Sequence, residues 1–317
     1  MDYVSEVAAA HRRIGEHVRR TPVERSPALE EETGCRVHLK LENLQRTGSF
    51  KLRGAMNKLL GLDPGTRSRG VVAASTGNHG LAVACGAADL GCSAVVFAPA
   101  TASEPKLDAV RRRGAEVRLA GADCVEAEAA ARAFAAESGR AYVSPYNDPA
   151  VVAGQGTVGH ELHEQLAEVD AVFVAAGGGG LIAGTGGYLK AVRPGVRVVG
   201  CSPARSAVLQ ASLAAGRILD LESAPTLSDG TAGGLEEGSI TFELCREVVD
   251  EFVLVDEREI AAAMRLVVAH HHTLVEGAAG VAVAALRGHA EPFRGGDVAV
   301  VLCGANVSVE VLREVLA

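Results

Sequence analysis

No run of apolar residues in this chain reaches the roughly 20 that a membrane-spanning helix needs, and the stretch from Met1 to Arg20 carries charges throughout, without the apolar core of a secretory signal. Membrane insertion and export are therefore not expected, and the expected compartment is the cytoplasm. Cysteine pairs are missing as well. The seven cysteines (Cys35, Cys85, Cys92, Cys124, Cys201, Cys245, Cys303) are odd in number, scattered and without a C-x-x-C, which excludes a disulfide framework or zinc knuckle and fits a reducing compartment. Positive charge is in deficit: 31 Lys and Arg face 39 Asp and Glu, a formal net charge of -8, so neither nucleic acid nor an anionic membrane is an expected partner. The basic run Arg111-Arg112-Arg113 reads as the solvated end of a helix. No internal repeat or low-complexity linker is present.

What the chain does have is length and regular patterning. Its 317 residues, 48% hydrophobic and 22% charged, suit a globular protein of two domains with a shared interface. Short β-type apolar runs (71–74, 94–98, 116–119, 141–143, then 171–175, 196–200, 252–255 and 298–302) alternate with helix-length segments, the pattern of parallel α/β architecture. An amphipathic helix is expected over 4–18 and another over 158–167; the region 202–238 shows no clear pattern.

Open parallel sheets bind ligands beyond the carboxyl ends of their strands, so the segments after the strands matter most. Lys51 follows the strand-like Val37-His38-Leu39-Lys40-Leu41-Glu42 and opens a helical pattern over 52–60. At that place the positive end of the helix dipole disfavours the ammonium and favours the neutral amine, the form that makes Schiff bases. Ser75-Thr76-Gly77-Asn78-His79-Gly80 follows a strand and starts a helix, offering N–H groups, hydroxyls and an amide suited to a carboxylate. Gly177-Gly178-Gly179-Gly180 is costly in backbone entropy, and close approach of N–H groups to a phosphate accounts for it better than a simple turn. The tetraglycine also contains G-x-G-x-x-A, the dinucleotide fingerprint. That reading, a nicotinamide-dependent oxidoreductase, requires an acid after the next strand; Val199-Gly200-Cys201-Ser202 has none, although Arg205 could meet a 2′-phosphate, so it ranks a distant second. A third loop is Cys303-Gly304-Ala305-Asn306. His160 and His163 lie three apart, which fails the H-E-x-x-H zinc pattern, and His270-His271-His272 point different ways on a helix; both groups read as structural.

A lysine at a helix start, a phosphate-type loop and a carboxylate-type loop together describe pyridoxal-phosphate chemistry. Ser49-Phe50-Lys51-Leu52-Arg53-Gly54-Ala55, Ser-Thr-Gly-Asn-His-Gly, Ala153-Gly154-Gln155-Gly156-Thr157, the tetraglycine and Cys-Gly-Ala-Asn resemble, in that order, the threonine/serine dehydratase and serine racemase family of fold-type II pyridoxal 5′-phosphate enzymes. The resemblance runs from about Leu39 to Asn306. It implies a tryptophan synthase β-like fold, two open parallel-sheet domains with the cofactor between them: residues 1–52 and 147–317 as the large domain, 53–146 as an inserted small one. It further implies Lys51 as the Schiff-base lysine, Phe50 against the pyridine ring, Asn78 on the ring hydroxyl and Gly177, Gly178, Gly179 and Gly180 around the phosphate. Ser75, Thr76, Gly77 and His79 would face the substrate carboxylate, and Cys303 the pyridine nitrogen, with Glu276 nearby. A thiol there, unlike a carboxylate, does not enforce a protonated ring, which favours prompt elimination.

The implied reaction is loss of water from a β-hydroxy α-amino acid to give a 2-oxo acid and ammonia, by a homodimer whose partners are small amino acids. The Ser-Thr-Gly-Asn-His-Gly loop, 144–149 and 228–234 look closest to the hydroxyectoine-utilisation dehydratases, leaving threonine, serine, 3-hydroxyaspartate and a ring-opened hydroxyectoine product as candidates. A racemase or β-replacing synthase would share the cofactor. Departures narrow the expectation: the second base of the racemases is replaced by Thr76, and 202–208 lacks the family's metal-binding carboxylates, so no metal is expected. With so few residues after Asn306, the regulatory domain of the allosteric biosynthetic enzymes is not expected.

Overall fold

A computed structural model describes residues 1–75, 77–122 and 124–317. Among the described residues ten strands follow one another: β1 (Val23–Arg25), β2 (Arg36–Lys40), β3 (Val71–Ala74), β4 (Ala94–Ala98), β5 (Glu116–Leu119), β6 (Ala141–Tyr142), β7 (Ala171–Ala175), β8 (Arg197–Pro203), β9 (Glu251–Val255) and β10 (Asp297–Val301). They form two sheets. One has six strands in the order β1-β2-β10-β7-β8-β9 and the other four in the order β5-β4-β3-β6. Every pairing is parallel except β1 with β2.

Parallel strands are covered on both faces by crossover helices, which is why β7 (Ala-Val-Phe-Val-Ala) and β4 (Ala-Val-Val-Phe-Ala) are apolar throughout and buried throughout. The larger core joins β2, β7, β8 and β10 to the apolar faces of the helices Gly180–Val192 and Gly277–Gly288. A second core lies under β3 and β4 and includes Leu52, Met56 and Leu59 of the helix Lys51–Gly61. That helix therefore packs with the four-stranded sheet while the segment leading into it comes from β2 of the six-stranded one.

The helix over Pro149–Gln165 starts well before the expected 158, and the reason lies in its glycines. Gly154, Gly156 and Gly159 weaken helical patterning in sequence, yet here they let neighbouring backbones approach. A Cβ on Gly154 would sit 2.6 Å from both the Arg53 carbonyl oxygen and the Gly54 Cα, and one on Gly159 2.5 Å from the Thr185 carbonyl oxygen. Gly154→Ala is therefore expected to push the Lys51 helix away and cost about 1–3 kcal/mol, read as a lowered midpoint in thermal unfolding beside wild type. Other expectations also shift. The first helix is Tyr3–Ile14, ending at Gly15 rather than at 18; β8 runs on to Pro203; and the unpatterned region contains the helix Val208–Ala215. Helices Ile240–Val248 and Val309–Leu316 were not foreseen. Cys35, Cys85, Cys92, Cys201, Cys245 and Cys303 form no disulfide, and among the described residues no helix is long and apolar enough to cross a membrane.

Candidate active site

The site is assembled where the ends of β2, β3, β6, β7 and β10 face one another, and Lys51 stands at its centre. Phe50, in helical geometry, precedes Lys51 as the first residue of its helix, and the Phe50 N–H donates to the Cys303 carbonyl at 3.1 Å. Ser49 forms an isolated β-bridge with Gly304. These contacts dock the segment after β2 against the end of β10. The Lys51 Nζ donates to the Pro145 carbonyl, just beyond β6, at 2.9 Å, and lies 5.2 Å from the centroid of the Phe50 ring. Burial lowers its pKa to about 8, overcoming the opposite pull of Cys303 and Glu276. The direction agrees with the sequence expectation; the cause is desolvation.

The tetraglycine links β7 to the helix Gly180–Val192. Gly179 has φ 85°, a left-handed conformation that glycine adopts at no steric cost. The loop is held from behind. Thr241 Oγ1 donates to the Gly178 carbonyl at 2.7 Å and the Cys245 thiol to the Gly179 carbonyl at 3.6 Å. With its carbonyls engaged, the N–H groups at the helix start, which have no intrahelical acceptors, form the free side of the loop. Side chains are excluded there: a Cβ on Gly178 would collide with the Tyr146 ring, and one on Gly177 would lie 2.9 Å from the Thr231 backbone. Tyr146 is itself fixed, its hydroxyl accepting from the Glu236 N–H at 2.9 Å.

Asn78 and Glu276 meet across the two sheets. The Asn78 amide donates to both carboxylate oxygens of Glu276, at 2.8 and 3.0 Å, while its carbonyl accepts from Asn306 Nδ2 at 2.6 Å. Asn306 closes the group by donating its own N–H to Glu276 at 3.2 Å. Burial raises the Glu276 carboxyl to about 7 despite the Asn78 bond. Cys303 is buried beside it, and burial pushes its thiol well above the ordinary range, so it stays protonated.

Around the loop after β3, Ser75 Oγ accepts from the Gly77 N–H at 3.1 Å, and Gly77 caps the helix Asn78–Asp89. Its first N–H groups have no acceptor within the helix, as a carboxylate site requires. Thr76 lies outside the described residues. His79 is buried, with Nε2 2.7 Å from the Val143 carbonyl, and burial together with Lys51 depresses its pKa to about 3. That side chain is neutral and tied to Val143, so its contribution to holding a carboxylate falls to its main-chain N–H.

Sequence reading missed the support beneath Lys51. Arg53, two residues on and fully buried, donates to both Glu42 oxygens at 2.8 Å and to both Glu161 oxygens at 2.6 and 2.9 Å. Lys40, equally buried, donates to Glu161 at 2.6 Å, to Gln165 at 2.8 Å and to the Thr21 carbonyl at 2.7 Å. A signal was present for Arg53, which interrupts an apolar helical stretch; Glu161, set among His160, His163 and Glu164, carried none. Tyr146 carried no such mark.

The donor set fits pyridoxal phosphate on structural grounds. A desolvated primary amine, a side-chain-free cradle of N–H groups at a helix start and an aromatic ring beside the amine are the three things its aldehyde, phosphate and ring require. The comparisons agree. The sequence matches the family described as pyridoxal-phosphate dependent enzyme over residues 14–304, and the chain belongs to that family. It is 41% identical over 313 residues to an L-threonine ammonia-lyase of Thermotoga maritima, covering 99% of this chain and 78% of that protein. Among solved structures, threonine deaminase isoform 2 from Solanum lycopersicum superposes with a TM-score of 0.93 at 33% identity, covering 99% of this chain and 91% of that one. Maize serine racemase gives 0.93 at 31% identity, covering 99% and 96%.

Proposed function

We propose that this chain is a pyridoxal-phosphate-dependent ammonia-lyase that removes water from a β-hydroxy α-amino acid and releases a 2-oxo acid and ammonia. The observation that carries the reading is the Lys51 amine, desolvated to a pKa of about 8 and held on the Pro145 carbonyl, next to the Tyr146 that packs on the tetraglycine. When bound, the cofactor supplies an electron sink that acidifies the Cα–H of an attached amino acid. Gly177 to Gly180 would hold its phosphate, Phe50 would pack against its ring, and the Cys303 thiol and Asn78 would face its ring nitrogen and hydroxyl. The N-terminus of the helix Asn78–Asp89, with Ser75, Thr76, Gly77 and the His79 N–H, holds the substrate carboxylate. The Lys51 Nζ would then take the Cα proton, and as the Cβ–O bond breaks that proton would be passed to the departing hydroxyl, which leaves as water. One water lost and one regained on hydrolysis of the enamine balance the conversion.

Threonine is the first candidate, because the Thermotoga maritima relative is an L-threonine ammonia-lyase. Serine, 3-hydroxyaspartate and a ring-opened hydroxyectoine product complete the panel. Residues 53–146 form the inserted small domain, and the protein works as a cytoplasmic homodimer. The test is a screen of these four substrates for equimolar 2-oxo acid and ammonia. Release from none of them, with cofactor bound, would overturn the reading.

The lysine pKa gives a second expectation with a definite sign. The neutral amine is the species that joins the cofactor aldehyde, and the neutral fraction grows as pH rises toward about 8 and then levels. Cofactor uptake by the stripped protein should therefore accelerate from pH 6 to 8 and flatten above it; stopped-flow absorption reads the rate.

A further inference from the structure

We propose that His11, His160 and Glu164 form a binding site for a divalent transition-metal ion of the zinc class, remote from the Lys51 chemistry. His11 lies in the last turn of the first helix, and His160 and Glu164 stand four apart on the helix Pro149–Gln165, hence on one face. Their donor atoms all lie within 4.8 Å of one another. Among the described residues no other set of histidine, cysteine and carboxylate donors gathers so closely.

Among the described residues the His160 Nδ1 has no hydrogen-bond partner; it is buried and lies 3.8 Å from Glu164 Oε1. Arg20 holds the other oxygen, Oε2, at 3.0 Å, which fixes the carboxylate while leaving Oε1 turned to the histidine. The His11 and His160 rings are stacked, 4.2 Å between centroids and 17° between planes. Tyr188 packs on the His160 ring from another side, 5.2 Å between centroids, and limits its swing.

Two imidazoles and one carboxylate match the borderline donor set of zinc, with water in the fourth position, and disfavour the all-oxygen ions magnesium and calcium. A tetrahedral ion with bonds of about 2.0–2.1 Å needs its donors about 3.4 Å apart, so at least one of the two stacked rings turns out of the stack to bring both lone pairs onto the ion. The ion would clip the first helix to the helix that backs Arg53 and Gly54. The spacing rule that reads His160 and His163 as structural does not bear on this site, because His11 comes from a separate helix.

The test is calorimetric titration of the chelator-treated holoenzyme with zinc chloride, beside His11→Ala and Glu164→Ala. Both variants change partly exposed positions, and thermal unfolding checks that each is folded. One ion per chain in the wild type, with affinity reduced at least tenfold in each variant, is the expected result. No uptake by the wild type, or His11→Ala binding as tightly as the wild type, overturns the proposal. The readout is zinc binding rather than activity, so it stands or falls independently of the lyase reading.

Discussion

Lys51→Ala is expected to lower 2-oxo acid release from threonine by at least about 10³-fold with the fold intact, since a positioned general base alone contributes about 10²–10⁴ and this amine is also the cofactor's point of attachment. Its surroundings are built for the neutral form. Desolvation works against the ammonium, and among the described residues no carboxylate makes a direct ion pair with the Nζ, which donates to the Pro145 carbonyl. Lys51→Arg sharpens the result. It keeps a positive charge, but a guanidinium does not deprotonate in proteins, so a role as base predicts the same loss as alanine. A purely electrostatic role predicts substantial recovery. Steady-state kinetics on both variants, with unfolding midpoints as controls, separate the two.

Arg53→Met is expected to destabilise the protein by about 3–5 kcal/mol, the usual cost of removing one partner from a buried ionic group. The arginine neutralises two carboxylates in full burial, and its loss leaves Glu42 and Glu161 sharing Lys40. Burial by itself pushes the Glu42 carboxyl up, yet Arg53 and then Lys40 outweigh it and hold the group below its ordinary 4.5. A depressed carboxylate contributes stability that is complete above its unfolded pKa and is lost as pH falls through the folded one. The wild-type midpoint should therefore decline below about pH 4, and the wild-type advantage over Arg53→Met should shrink in the same range. Denaturant unfolding of both proteins from pH 3 to 7 measures it. Because Arg53 and Lys51 share a helix, the variant that remains folded should also lose activity.

Much of this was legible before any coordinates. Strands such as 71–74, 94–98 and 171–175 declare themselves because a strand buried on both faces must be apolar at every position. Lys51 and the tetraglycine stand out because each is locally unfavourable and needs a reason. The helix Pro149–Gln165 was half hidden, since Gly154, Gly156 and Gly159 serve contacts with other helices that a linear pattern does not display. The same limit hid the Arg53 network and the bond from Asn78 to Glu276, 198 positions apart in the chain. His79 marks the finer boundary: its motif was visible, but the turn of its ring toward Val143 depends on where β6 ends.

The central claim is that Lys51 is the residue that carries the cofactor. Reduction of the holoprotein with sodium borohydride, followed by proteolysis and peptide mass mapping, tests it directly. The account predicts loss of the visible absorption band and a single pyridoxyl adduct, on the peptide containing Lys51. An adduct on any other lysine, or a reconstituted protein that takes no label, would contradict it.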